Sequence, residues 1–362
     1  MALLMFGAFV YSSTFLLNLQ TRSMQHARIS LAFIFLVFLS VGCADKNESE
    51  QVEPRQPTGA FASSQGSILT NQLSTPIGMS IDQKNQVWVS QSGTGNNDGS
   101  VVVVAPSGTV QVAFAGFGSA RLPIGELGGL GHVLYRDGKL YVLDGLNGRL
   151  YTADVSSYKT KDAPVPASSL DYIDLRSFVL SQNLSTPLDS NPYDLTFGPD
   201  GQLYIADAGA NAIIRVNLAT RALSVFARIP NVTPTIQPVP TGIIFDGSKF
   251  LVTTLTGFPF ISGRASVLQI TTSGAVSNYR SGFTALTNLA PANGNDLLVT
   301  EYAQFVFNPP VVSWQPSTGR VANAAGTTVL GGLNLITDIE RINPNFYYVL
   351  STGDGTIQKI KY

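Results

Sequence analysis

The sequence predicts an all-β chain of six four-stranded units closed into a ring, and three observations predict it. A unit of roughly 40 to 55 residues recurs along the chain. Turn chemistry falls at every break inside that unit. The last unit is one strand short, while an unassigned strand precedes the first. The composition agrees: 12% charged and 44% hydrophobic argues against a disordered or coiled-coil chain, and 34 Gly suits many short strands with tight turns. A net charge of −1 excludes a basic surface for nucleic acid.

The clearest unit is 191–229. PYDLTF alternates and ends at Gly198-Pro199-Asp200-Gly201. QLYIAD follows, then Ala208-Gly209-Ala210-Asn211, then AIIRVNL, then Ala219-Thr220-Arg221, then ALSVFAR. Strands this short with a turn at each end make a four-stranded meander. The same grammar recurs at 75–115, 128–155, 239–279, 284–325 and 333–362, with Pro76, Pro192, Pro240 and Leu286 in register. Such units pack face to face as propeller blades. The unit 333–362 has three strands, so the stretch 66–73 is predicted to complete it and close the ring, removing two open sheet edges. The long connection 156–190 is predicted to hold an amphipathic helix, with Leu170, Ile173, Phe178 and Leu180 on one face, lying over one mouth of the ring.

Residues 29–42, ISLAFIFLVFLSVG, form an uncharged run preceded by Arg28. The run is short for a membrane span and suits a signal-peptide core. It ends at Leu39-Ser40-Val41-Gly42-Cys43. This resembles the lipobox of bacterial lipoproteins, with Leu39 four places before the cysteine rather than three. Cys43 is the single cysteine, so the expected chemistry there is lipidation, not a disulfide. The expected organisation is a leader over 1–42, with translation starting at Met24, a tether over 43–65 and a propeller over 66–362. The expected location is the cell envelope, with the membrane reached only through the lipid.

Ser190-Asn191-Pro192-Tyr193-Asp194, GPDGQLYIADAGANAIIRV (198–216), VPTG (239–242), LTGFPF (255–260) and SGFTALTNLA (281–290) together resemble the ScyD/ScyE family, propellers named from scytonemin gene clusters. The GPDG and ADAGAN elements are shared with NHL-type propellers in general. The resemblance implies an exported six-bladed propeller and no established reaction.

Innermost strands line a propeller's channel, and ligands bind at its mouth. Turn alignment places Gly78, Gly131, Asp194, Gly242, Asn288 and Asp338 at one inner-strand position, with Glu301 near enough to join. Oxygens converging on an axis suit calcium, so a calcium-dependent hydrolase or lactonase is one reading. The leading one is a monomeric binding or scaffold module for a protein or small-molecule ligand, with Asp194, Asn288, Glu301 and Asp338 as contacts at the channel mouth; the structural alternative has Asp194 and Asp338 capping turns or accepting backbone N–H bonds. Asp144 with Asn147, and Asp207 with Asn211, read as structural brackets of hairpin turns, and Arg149 and Arg215 as locally paired. His132, with Glu126 as its neighbour, is too little for acid–base catalysis. Phe258 and Phe260 in one loop, and Phe305 and Phe307 in the next blade's insertion, read as mutual packing or as an apolar binding rim.

Overall fold

A computed structural model describes residues 66–121 and 127–362 of the chain. The leader 1–42, Cys43 and the tether 43–65 lie outside the described residues, as does Glu126.

Six four-stranded blades follow one another. Their innermost strands are Pro76–Ile81, Leu130–Arg136, Pro192–Phe197, Pro240–Phe245, Leu286–Pro291 and Ile336–Asn343. Each packs on the inner strand of the next, and that of blade 6 returns to that of blade 1. A blade is covered on both faces, so its middle strands are buried on both sides rather than alternating. Val101, Val102, Val103 and Val104 show this in blade 1, where all four are buried. The turns obey local chemistry. Asp137 and Gly138, both at positive φ, make the two-residue hairpin that pairs Arg136 with Lys139.

One hydrogen bond repeats in every blade. The residue just before each inner strand accepts from the N–H that follows the second strand: Ser92 to Thr75, Leu146 to Gly129, Ala208 to Asn191, Leu255 to Val239, Tyr302 to Ala285 and Thr352 to Leu335, all at 2.9–3.1 Å. Thr75, Val239, Ala285 and Leu335 take positive φ to make it. That conformation is costly for a residue with a Cβ, most of all for β-branched Thr75 and Val239.

Ser67–Thr70 forms the outer strand of blade 6, pairing Ser67 with Lys359 and Thr70 with Ile357. The ring is therefore closed by the N-terminal strand, as the missing strand implied.

The segment 156–190 differs from its expectation. Asp171–Asp174 is a strand, not helix: it is the outer strand of blade 2, with Leu150 opposite Ile173 and Tyr151 opposite Tyr172. The helix begins only at Leu175 and ends at Ser181. Asp174 caps it by accepting from the Ser177 N–H at 3.0 Å. Its buried face is Leu175 and Val179, set in the core shared by blades 2 and 3. Before that strand the chain crosses back to blade 1, where Val165–Pro166 pairs in parallel with Phe114–Ala115 as a fifth strand. Blades 1 and 2 are thus strapped together outside the ring.

Candidate functional site: the channel axis

Each inner strand bulges near its start, and the residue at the bulge borders the axis. Register fixes the six equivalents as Gly78, His132, Asp194, Gly242, Asn288 and Asp338. Blade 2 contributes His132, not Gly131. Counted from the first residue of each inner strand, Leu130 corresponds to Pro76 and Pro192, and two residues on is His132. Around the ring the order is Gly-His-Asp in blades 1–3 and Gly-Asn-Asp in blades 4–6, an approximate twofold.

The two glycines make the arrangement possible. A Cβ on Gly78 would lie 2.5 Å from His132 Cγ, and one on Gly242 would lie 2.7 Å from Asn288 Cα. Into this space the preceding blade's aspartate reaches across. Asp338 Oδ2 accepts the Met79 N–H at 2.6 Å, and Asp194 Oδ2 accepts the Ile243 N–H at 2.9 Å. Each Oδ1 also takes the N–H of its own next residue, Ile339 and Leu195, both at 2.7 Å. Asn288 Nδ2 donates to Asp338 Oδ1 at 2.6 Å and lies 3.3 Å from His132 Nδ1. His132 Nδ1 is 3.4 Å from Asp194 Oδ1 and 3.6 Å from Asp338 Oδ2. His132 Nε2 is buried without a hydrogen-bond partner.

Hydroxyls extend this lock between blades. Thr241 donates to the Leu286 carbonyl at 2.9 Å, and Thr287 to the Ile336 carbonyl at 3.0 Å. In blade 3 the corresponding residue is Tyr193, whose ring packs 4.8 Å from that of His132.

A cavity of about 100 Å³ lies on the far side of the layer, walled in part by His132, Asp194, Asn288 and Glu340. Burial pushes every ionisable member toward its uncharged form. It holds His132 down at about 3 and lifts Asp194 to about 7. It raises Glu340 to about 8, with Asp194 adding repulsion. Asp338 is raised well above the carboxylate range by burial and by the Glu340 and Asp194 charges.

These directions set a pH dependence. Each acid binds its proton more tightly folded than unfolded, so its stabilisation is lost as pH rises through its folded value. His132 acts oppositely, adding stability as pH rises from about 3 to about 6.5. Above that window only the acids act. The melting temperature should therefore fall between pH 6.5 and pH 8 and fall less in Asp194→Asn, as calorimetry at fixed ionic strength would read. A flat or rising wild-type profile across that interval would contradict the protonated axial layer.

The calcium reading meets a poor donor set. Calcium takes six to eight oxygens, whereas these carboxylate oxygens already accept backbone N–H groups and an imidazole nitrogen sits among them. Among the described residues no group of three or more His, Cys, Asp or Glu is arranged to hold a metal.

Asp194, Asn288 and Asp338 thus come together, and Glu301 does not join them. Its carboxylate takes Arg320 in a two-point ion pair, Nε to Oε2 and Nη2 to Oε1, both 2.7 Å. The register places Arg320 opposite Glu301 on the next strand, which explains the pairing. The aromatic candidates pack on one another: Phe258 lies 5.0 Å from Phe307, and Phe260 lies 5.0 Å from Phe305. The centre of that cluster is Trp314, 4.7 Å from Phe260 and 5.0 Å from Tyr302. Trp314 arrives because the insertion is a hairpin, Phe305–Asn308 with Val311–Trp314. Phe307 alone of the four phenylalanines is exposed.

The hairpin brackets are structural in two ways. Asp144 accepts from the Asn147 N–H and Nδ2 at 2.9 and 2.8 Å. Asp207 accepts from the Asn191 and Ala210 N–H groups, while Asn211 turns away and accepts from the Val239 N–H of the next blade. Arg215 pairs with Asp200, and Arg149 donates to the Tyr151 hydroxyl at 3.2 Å.

No family model matches the chain, and no curated relative matches it. Solved structures do. A protein of unknown function from Bacteroides thetaiotaomicron is 13% identical with a TM-score of 0.53, over 80% of this chain and 70% of that one. A Xanthomonas campestris gluconolactonase is 12% identical with a TM-score of 0.52, over 81% and 88%. A streptogramin B lyase is 14% identical with a TM-score of 0.48, over 79% and 93%. At these identities the likeness to the first two is one of fold alone, and the fold of this chain is the six-bladed propeller.

Proposed function

We propose that the chain is an exported propeller, held to a membrane by an acylated Cys43, that serves as a binding module in the cell envelope. One observation carries the choice of binding over turnover. The axial acids stand where a propeller would carry chemistry, yet both oxygens of Asp194 and of Asp338 are taken by backbone N–H groups of their own and the next blade. Their work is to lock blade 3 to blade 4 and blade 6 to blade 1. A general acid or a metal ligand works through an oxygen turned to its substrate, whereas these oxygens are turned to backbone N–H groups inside the seams between blades. Export is supported by the apolar run 29–42 ending at the single cysteine, and by the ScyD/ScyE resemblance of 190–290.

The expected result is that cells expressing the full chain incorporate radiolabelled palmitate into it and retain it in the membrane fraction. Cys43→Ser should abolish both. Label persisting in that variant would sink the anchored reading.

A further inference from the structure

The strap between blades 1 and 2 builds a cleft that the axial site does not use. The cleft measures about 360 Å³ and lies on the rim where the inner strands of these blades end. Ligand pockets start at about 300 Å³, so it has room for a ring-sized molecule. Its floor is Trp88, and its walls are Tyr135, Tyr158, Gln83, Gln86 and Asp137.

The walls are fixed by their own bonds. Asp82 Oδ1 accepts the Lys84 and Gln86 N–H groups at 2.8 and 2.9 Å, and its Oδ2 accepts the Trp88 indole at 3.1 Å. This holds the blade 1 hairpin and presents the Gln83 and Gln86 amides. The Tyr135 N–H donates to Ser80 Oγ at 3.0 Å, fixing the blade 2 wall to blade 1. The strap supplies the rest. Tyr158 meets Trp88 edge-on at 5.1 Å, and Gln111 of blade 1 reaches the Asp162 carbonyl at 3.3 Å to hold the strap down. Gly138 is needed where the strap crosses, because a Cβ there would lie 2.9 Å from that of Ser156.

The chemistry of the lining selects a ligand class. Two tyrosine rings, each partly buried against the core of blades 1 and 2, stand beside amides, a hydroxyl and a carboxylate. The exposed charges, Lys84 and Asp137, have opposite sign, and Asp82 is spent internally, so the cleft prefers no ionic ligand. The Tyr158 hydroxyl is covered, so Tyr158 gives the cleft its ring, and the polar contacts come from the Gln83 and Gln86 amides. Aromatic faces suit the C–H face of a pyranose, and amide, hydroxyl and carboxylate groups suit its hydroxyls. We propose that this inter-blade cleft binds a neutral sugar ring, free or at the end of a glycan. The site lies apart from the axis, so its failure would leave the export and axial readings standing.

The full chain has two tryptophans. In Trp314→Phe, the emission reports on Trp88 alone. Titration with glucose, galactose, mannose and N-acetylglucosamine, and with oligosaccharides ending in each, should give a saturable change with at least one sugar. Equal affinity for the free sugar and the oligosaccharide would name a soluble ligand; stronger binding of the oligosaccharide would name an envelope glycan. Gln83→Ala and Gln86→Ala, each in the Trp314→Phe chain, should weaken that binding about tenfold by removing one polar contact each, with the melting temperature unchanged. No response from any member at about 10 mM, where weak single-ring binding is still visible, would overturn the proposal. So would undiminished binding in both folded variants.

Discussion

Deleting 66–73 should destabilise the chain by on the order of 5 kcal/mol, while deleting 44–62 should leave its urea midpoint where it was. The strand lost is short, and it is anchored by Leu69 within it and Leu73 just after it. Leu73 is buried and Leu69 half-buried against Met79, Val87, Val89, Val104, Leu350 and Ile357, a core shared by blades 6 and 1. The Leu73 N–H closes the end of the blade by donating to the Gly355 carbonyl at 3.1 Å. The approach is close enough that a Cβ on Gly355 would lie 2.3 Å from the Leu73 carbonyl oxygen. Without the strand, Thr356–Lys361 becomes an open edge with unpaired backbone groups, and apolar side chains of two blades meet water. Equal midpoints for the two deletions would refute closure by this strand.

Asp338→Ala should cost roughly 3–5 kcal/mol, the largest effect of any single axial substitution. Asp338 is 1% exposed and accepts from three donors: the Met79 and Ile339 N–H groups and Asn288 Nδ2. Alanine leaves the Met79 and Ile339 N–H groups buried and unsatisfied and Asn288 Nδ2 with only His132 Nδ1, 3.3 Å away, and the Met79 bond is one that ties blade 6 to blade 1. Asp338→Asn keeps the shape and one acceptor, so it should cost less than half as much. Millimolar calcium should leave the wild-type melting temperature unchanged, because the acids already serve as backbone acceptors. A saturable upward shift with calcium, lost in Asp338→Asn, would instead favour the metal-dependent hydrolase.

The ring was legible in the sequence because blades are local objects. Pairs such as Asp137-Gly138, and Gly201 after Pro199-Asp200, mark their turns within a few residues. What the sequence concealed was non-local. The outer strand of blade 2 pairs with Arg149–Thr152 only after the chain has visited blade 1, so 171–174 carries no hairpin signal and reads as the start of a helix. His132 was missed because glycines are a natural anchor for alignment, and Gly131 stood one place away from the true equivalent; counting from Leu130 would have found it. Glu301 looked available for the axis because its partner, Arg320, lies beyond an inserted hairpin. Asp194, Asn288 and Asp338 were visible because a repeat position fixes a ring position, whatever the side chain.

The strap that crosses from blade 2 to blade 1 also breaks the equivalence of the six interfaces. Elsewhere neighbouring blades are joined by one passage of the chain and by what their faces bury. Between blades 1 and 2 the chain passes three times: into blade 2, back along Phe114–Ala115, and out again to Asp171–Asp174. Transient opening of a ring follows its least-tied seams. This pair of blades should therefore open as one unit, with amide protons exchanging faster at the singly tied seams, as hydrogen exchange read by mass spectrometry would show. The cleft then sits on the seam with the most ties, where its geometry is held by three passages of the chain rather than one.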